Sequence, residues 1–245
     1  MNLPSTLPSK EDLPKAAEAA ETYRGQHSIE VTQPAKYGLD FRIYDNPEEW
    51  ESELGCRHKE GASVRILSTY SREWKTERAA NPHSLPPQLM DFCEPYVLNN
   101  KSRYWSRIWN YVPNNGNNYT WYVSGHPASR IAIDPLCEVG CPYAVRGFDY
   151  DYVGILWLND LVWDGKKWRV KPFAVEERGV MSLVMAARDE EKMKKYDGPA
   201  TEELLERVAQ AYRILFTRAL KGVYVWITDP TTRAYVNDSM LYHGR

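Results

Sequence analysis

The sequence predicts an α/β fold in which a mainly parallel sheet is flanked by helices, and three observations carry that expectation. Residues 64–69 (VRILST), 152–158 (YVGILWL) and 223–228 (VYVWIT) are β-branched and apolar runs of the kind buried on both faces of a parallel sheet. Residues 199–221 repeat Leu204, Val208, Ala211, Tyr212, Leu215 and Ala219 at three- and four-residue spacing, as one apolar helix face requires. Strands and helices alternate with no visible internal repeat, which favours a sheet built through crossover helices.

In chain order, residues 1–38 hold Pro4, Pro8, Pro14 and Pro34 among polar residues and read as a flexible, linker-like segment. Residues 39–44 alternate as a strand, and Asn46, Pro47 and Glu49 supply an N-cap, a first-turn proline and an acidic residue for a helix running toward Cys56. The strand at 64–69 completes a β-α-β order. Residues 71–127 then become aromatic, polar and Pro/Asn-rich without a sustained period, which predicts an ordered insertion or functional loop. Order resumes at 130–133 and in the strand at 152–158. Asp164-Gly165 between LVW and KKWRV is a β-hairpin signal, and residues 179–196 read as a helix with a solvated charge run. The helix at 199–221 has Glu202 and Glu203 near its positive end and Gly222 as its expected stop. Residues 39–245 are thus expected to form one domain.

Composition narrows the function classes. With 43% hydrophobic and 26% charged residues the 245-residue chain has the balance of an ordinary globular protein. A net charge of -2 excludes a uniformly basic surface, so any nucleic-acid contact must be a local patch. The N-terminal residues carry Lys10, Glu11 and Asp12 and no signal-like apolar core, and no stretch is apolar enough to span a bilayer, which predicts a cytoplasmic protein without a membrane partner. Cys56, Cys93, Cys137 and Cys141 are too few and too irregular for a disulfide framework and are expected to be free thiols. Cys137 and Cys141 have no second Cys/His pair at ligand spacing, with His83 and His126 isolated in loop-like sequence, so no metal site is expected.

Two segments carry the specific chemical information. Residues 139–154 read VGCPYAVRGFDYDYVG and residues 212–229 read YRILFTRALKGVYVWITD. Together they resemble motifs V and VI of superfamily 1 helicases, and more narrowly the Schlafen group three-like DNA/RNA helicase domain. That family's first segment typically has a Thr-Ala-Gln-Gly-Phe-Glu turn before Phe-Asp-Tyr-Val-Gly. Here the turn is Ala144-Val145-Arg146-Gly147-Phe148-Asp149, followed by Tyr150-Asp151-Tyr152-Val153-Gly154. The second segment matches through Leu215, Thr217-Arg218, Lys221-Gly222, Tyr224-Val225 and Asp229-Pro230. Residues 64–69 with Tyr70 and Trp74 resemble the motif IV region.

The resemblance implies a RecA-like domain of the P-loop NTPase type and a nucleotide-facing set of Arg146, Gly147, Asp149, Thr217 and Arg218. Within it Gly147 would let backbone approach closely, and Asp149, a Glu in most relatives, would accept from the ribose. Arg218 would be the catalytic finger: charge builds on the phosphoryl oxygens during transfer, and a delocalised, permanently charged guanidinium stabilises it. An Arg at that position also suits a helix C-terminal cap or an ion pair, and Gly147 also suits a tight turn.

A phosphate loop is missing from the sequence. Its only Gly-Lys pair, Gly165-Lys166, lies in the hairpin turn with no following Ser or Thr, and Asp189-Glu190 sits in a charged run rather than after an apolar strand. ATP and Mg²⁺ would therefore bind only when a phosphate-loop-bearing RecA-like domain on another chain completes the site. The implied function is the second motor half of an ATP-dependent DNA/RNA helicase.

Trp74, Tyr104, Trp105, Trp109, Tyr119, Trp121 and Tyr122 are interleaved with Arg72, Lys75, Arg78, Lys101, Arg103 and Arg107, a pattern suited to stacking and phosphate contact along single-stranded DNA or RNA. Arg72, Trp74 and Trp105 are the expected contacts; packing beneath a long loop is the competing reading. Two alternatives of other classes are a non-catalytic nucleic-acid-binding or protein-interaction module and a metal-dependent nuclease using Asp149, Asp151, Asp160 and Asp164.

Overall fold

A computed structural model describes residues 38–111 and 130–242. The linker-like segment before residue 38, together with Tyr119, Trp121, Tyr122 and His126, lies outside the described residues. The elements are β1 (Asp40–Tyr44), α1 (Pro47–Lys59), β2 (Val64–Leu67), β3 (Phe92–Leu98), β4 (Lys101–Trp109), the short helix α2 (Arg130–Ile133), β5 (Glu138–Gly140), β6 (Tyr150–Trp157), β7 (Leu161–Trp163), β8 (Trp168–Val170), α3 (Met181–Lys192), α4 (Pro199–Phe216), β9 (Ala219–Ile227) and α5 (Pro230–Tyr242).

Among the described residues one sheet has seven strands in the order β1-β9-β6-β2-β5-β4-β3, all neighbours parallel except the antiparallel β3–β4 pair. A mostly parallel sheet flanked by helices is consistent with a RecA-like fold. No helix of the described residues is long and apolar enough to cross a membrane.

Strand alternation builds a core on each face. Val153, Ile155 and Trp157 of β6 and Val223, Val225 and Ile227 of β9 pack with Val184 of α3 and Leu204, Val208, Tyr212 and Leu215 of α4. Leu156, Tyr224 and Trp226 turn to the other face, against Trp50 and Leu54 of α1. Gly154 sits beneath α1, where a Cβ would come within 2.4 Å of Leu54 Cδ1, so the helix packs directly on the strand backbone. The Trp50 indole donates to the Tyr224 carbonyl at 2.9 Å, fixing α1 on β9. The Asn46 side chain caps α1 by accepting from the Glu49 N–H at 3.0 Å.

Three expectations are corrected. The aromatic stretch is not a separate excursion throughout: β3 and β4 form a hairpin that extends the sheet, turned by Asn99 (φ 51°) and Asn100 (φ 59°), the left-handed pair that a two-residue turn demands. The helix at 199 ends at Phe216 rather than near 221, because β9 must start at Ala219 to pair with Tyr150 of β6. Gly222 is therefore a strand residue; a Cβ there would lie 2.6 Å from the Tyr152 ring and 2.9 Å from the Asp40 carbonyl oxygen. Apart from these corrections, α5 begins at Pro230 and is capped by Asp229, whose carboxylate accepts from the Thr232 N–H and hydroxyl at 2.7 Å each.

Candidate functional site

Strands β6 and β9 are neighbours, and the two turns that lead into them meet at the sheet edge where the parallel strands begin. The Tyr150 N–H donates to the Arg218 carbonyl at 2.8 Å, joining the turns through the backbone. Thr217 and Arg218 form the short link between the end of α4 and β9, their N–H groups donating to Arg213 and Leu215 carbonyls. Arg218 reaches back with Nε to the Ile214 carbonyl at 3.2 Å and with Nη2 to Thr217 Oγ1 at 3.3 Å. Its Nη1 lies 3.1 Å from Asp149 Oδ1. A cation at the carbonyl end of a helix is electrostatically favoured, so the resting position combines a cap and an ion pair.

The expected nucleotide-facing residues thus come together. Arg218, Thr217 and Asp149 are in contact; Gly147 lies two residues before Asp149 on the same turn, and Arg146 beside it. Gly147 has φ +86°, which a side chain adopts with strain, and the space a Cβ would occupy is open, so backbone conformation rather than crowding calls for glycine. Arg146 is exposed and lies over the Tyr143 ring, 5.5 Å from its centroid. Beside this set is a second pair, whose Asp151 the sequence offered only as a metal ligand: Lys221 Nζ is 2.9 Å from Asp151 Oδ1. The Ser63 N–H, then Lys221, hold the Asp151 carboxyl below its ordinary range. An Asp and a cation at matching positions of adjacent strands were the only available signal.

Of the residues expected to touch nucleic acid, Arg72 is committed to an ion pair and Trp105 to the core. Arg72, on the connection after β2 at the opposite sheet edge, is bidentate to Glu94 at 2.7 Å through both Nε and Nη2 and donates to Asn159 Oδ1 at 3.2 Å. Trp74 is partly buried against the core beneath α1. Trp105 belongs to that core: it is 5% exposed, its indole donates to Glu51 Oε2 at 2.7 Å, and its ring meets Trp50 and Trp226 at 5.7 and 5.8 Å. No ring face is left for a base. Arg103 pairs with Glu48 and Arg107 with Glu51, so the hairpin's guanidinium charge is largely neutralised.

The four aspartates weighed for a nuclease do not converge. Asp149 and Asp151 each hold a cation, Asp164 sits in the β7–β8 turn with Arg169 at 2.7 Å, and Asp160 is buried, accepting from Thr69 Oγ1 at 2.5 Å and the Tyr212 hydroxyl at 2.7 Å. Among the described residues they form no group able to share an ion.

The chain is 21% identical over 202 residues to an uncharacterized protein of Saccharomyces cerevisiae, YPL245W, an alignment covering 80% of this chain and 36% of the yeast protein. The chain therefore spans about a third of the length of the curated relative it matches. No solved structure matches it. Residues 10–229 match the Schlafen group 3, DNA/RNA helicase domain family, and they include every residue of the Asp149–Arg218 site. The protein belongs to the Schlafen group 3, DNA/RNA helicase domain family.

Proposed function

We propose that this chain is the second motor half of an ATP-dependent DNA/RNA helicase. It places Arg218 against the phosphates of an ATP–Mg²⁺ complex held by a phosphate-loop-bearing RecA-like domain, supplied on the same longer polypeptide or on another chain. A helicase-related role follows from the family; the half-motor assignment is supported by the contact between the two motif-like turns through Asp149 and Arg218.

The strength of that contact is what makes the reading workable. The two side chains are 23% and 49% exposed, and an exposed ion pair contributes about 0–1 kcal/mol. A pair of that size is readily exchanged for charge-assisted bonds to phosphate oxygens, which are roughly twice as strong as neutral ones. A fully buried pair would have cost several kcal/mol to open. Arg146, Gly147 and Thr217 then border the nucleotide, and Asp149 is released toward it.

The test combines the chain with a phosphate-loop-bearing first half and measures nucleic-acid-stimulated ATP turnover. Arg218→Ala lowers turnover roughly a thousandfold, the range of an arginine finger, with little change in melting temperature. Unchanged turnover with a large stability loss would make Arg218 a structural cap.

One observation favours a second reading, a non-catalytic interaction module. The Arg72–Glu94, Arg103–Glu48 and Arg107–Glu51 pairs leave the hairpin side nearly neutral, which suits a protein partner better than a phosphate backbone. Failure of Arg218→Ala to alter turnover would favour it.

A further inference from the structure

Between β2 and β3 the short turn Pro82–Ser84 brings His83 to the start of β5. There His83, Cys137 and Glu138 each present one donor atom, and all three atoms lie within 4.8 Å of one another. Among the described residues no other three such side chains converge in this way. His83 Nε2 is 3.8 Å from Glu138 Oε2; the His83 side chain is 8% exposed and that of Glu138 1%.

The polar atoms are not fully used. Among the described residues buried His83 Nε2 finds no hydrogen-bond partner, an arrangement that folding ordinarily avoids. Glu138 commits Oε1 to Arg65 Nη2 at 2.9 Å, while Oε2 receives only a long bond, 3.3 Å, from the Tyr111 N–H. Oε2 thus has capacity for a further partner, and the orphaned imidazole nitrogen lies 3.8 Å from it. Cys137 is partly buried and has no disulfide partner.

We propose that His83, Cys137 and Glu138 bind one borderline-soft divalent cation, for which zinc is best matched, with water in the fourth position. Imidazole, thiolate and carboxylate are the zinc ligand types, and bond lengths of about 2.0–2.3 Å set donor atoms roughly 3–4 Å apart, so the observed cluster need contract by at most about 1–2 Å. On binding, the Cys137 S–H bond breaks, the proton leaves to solvent and sulfur donates its electron pair to the cation. The thiolate offsets one of the two incoming charges, and Arg65 remains neutralised by Glu138. The cation ties the β2–β3 connection to β5, two segments otherwise distant in sequence. The cluster is separate from the Arg218 site, and its occupancy is independent of the helicase reading.

The test uses the full chain stripped with a chelator, then titrated with Zn²⁺ against a chromophoric chelator and, separately, with Co²⁺. One zinc binds per chain, and Co²⁺ produces a sulfur-to-metal charge-transfer band in the near ultraviolet. Cys137→Ser abolishes the band and weakens zinc binding at least tenfold, His83→Gln weakens binding while keeping the band, and Cys93→Ser changes neither. Where a variant does not fold, mapping of thiol alkylation in the wild type decides: zinc protects Cys137 and leaves Cys56 and Cys93 reactive. No thiolate band in the wild type, a band that survives Cys137→Ser, or equal alkylation of Cys137 with and without zinc overturns the proposal.

Discussion

Arg218 and Asp149 face each other across the starts of two adjacent parallel strands, 3.1 Å apart, with the Arg218 carbonyl bonded to the residue that follows Asp149. Replacing Asp149 by Asn removes the charge while keeping the shape. Because both side chains are partly exposed, the unfolding free energy from urea melts should fall by no more than an exposed pair's worth, about 1 kcal/mol. Arg218→Lys keeps the charge but loses the forked geometry, and in the completed helicase it should remain strongly impaired. Turnover of the Lys variant within a few-fold of wild type would show that a point charge suffices.

Trp105 and Trp74 separate a packing role from a binding role. Trp105→Ala should cost about 3–5 kcal/mol in urea melts, because a buried ring against Trp50 and Trp226 is lost. Trp74 is only partly buried, and it neighbours Arg72 at the other sheet edge. Stacking of one base contributes about 1–3 kcal/mol, so Trp74→Ala should weaken single-strand binding roughly five- to 150-fold in fluorescence anisotropy at low salt. If the wild type binds no labelled oligonucleotide at low salt, Trp74 is not a stacking platform.

Alkaline pH should unfold the protein from about pH 10 upward. Burial raises the phenol of Tyr44 from 10.0 to about 12, and burial also raises those of Tyr150, Tyr212 and Tyr224. For a phenol whose folded value lies above its unfolded value, the unfolded chain ionises first. The stabilisation is complete below the unfolded value near 10 and is lost as pH rises through the folded one, for Tyr44 near 12. Urea midpoints should fall beyond about pH 10, with Tyr212→Phe showing a shallower decline. A midpoint that does not change up to about pH 11 would contradict this.

Legibility in the sequence followed how local the governing interaction is. Helix α1 could be read from Asn46 and Pro47 because capping is decided within four residues, and β2, β6 and β9 because strands covered on both faces must be continuously apolar. The β3–β4 hairpin was hidden because its strands mix exposed Arg and Tyr with buried Trp105, Ile108 and Trp109, so neither period stands out. Only the Asn99-Asn100 turn gave it away, and Asn-Asn is a weaker signal than Asn-Gly. Ala219, Leu220 and Lys221 suit a helix as well as a strand; pairing with Tyr150, a contact far away in sequence, decides in favour of β9. The set around Arg218 and Asp149 was legible only as a resemblance, whereas the ion pairs that neutralise Arg72, Arg103 and Arg107 depend on tertiary neighbours no spacing rule supplies.

The bond from the Tyr150 N–H to the Arg218 carbonyl also has a kinetic consequence. With its backbone stapled to β6, the arginine can answer an arriving anion only by turning about its own χ angles. Such rotamer changes at partly exposed side chains take picoseconds to nanoseconds, whereas the approach of two domains takes microseconds to milliseconds. In the proposed motor the guanidinium would therefore be in place before the two halves closed, and closure would set the tempo of the cycle.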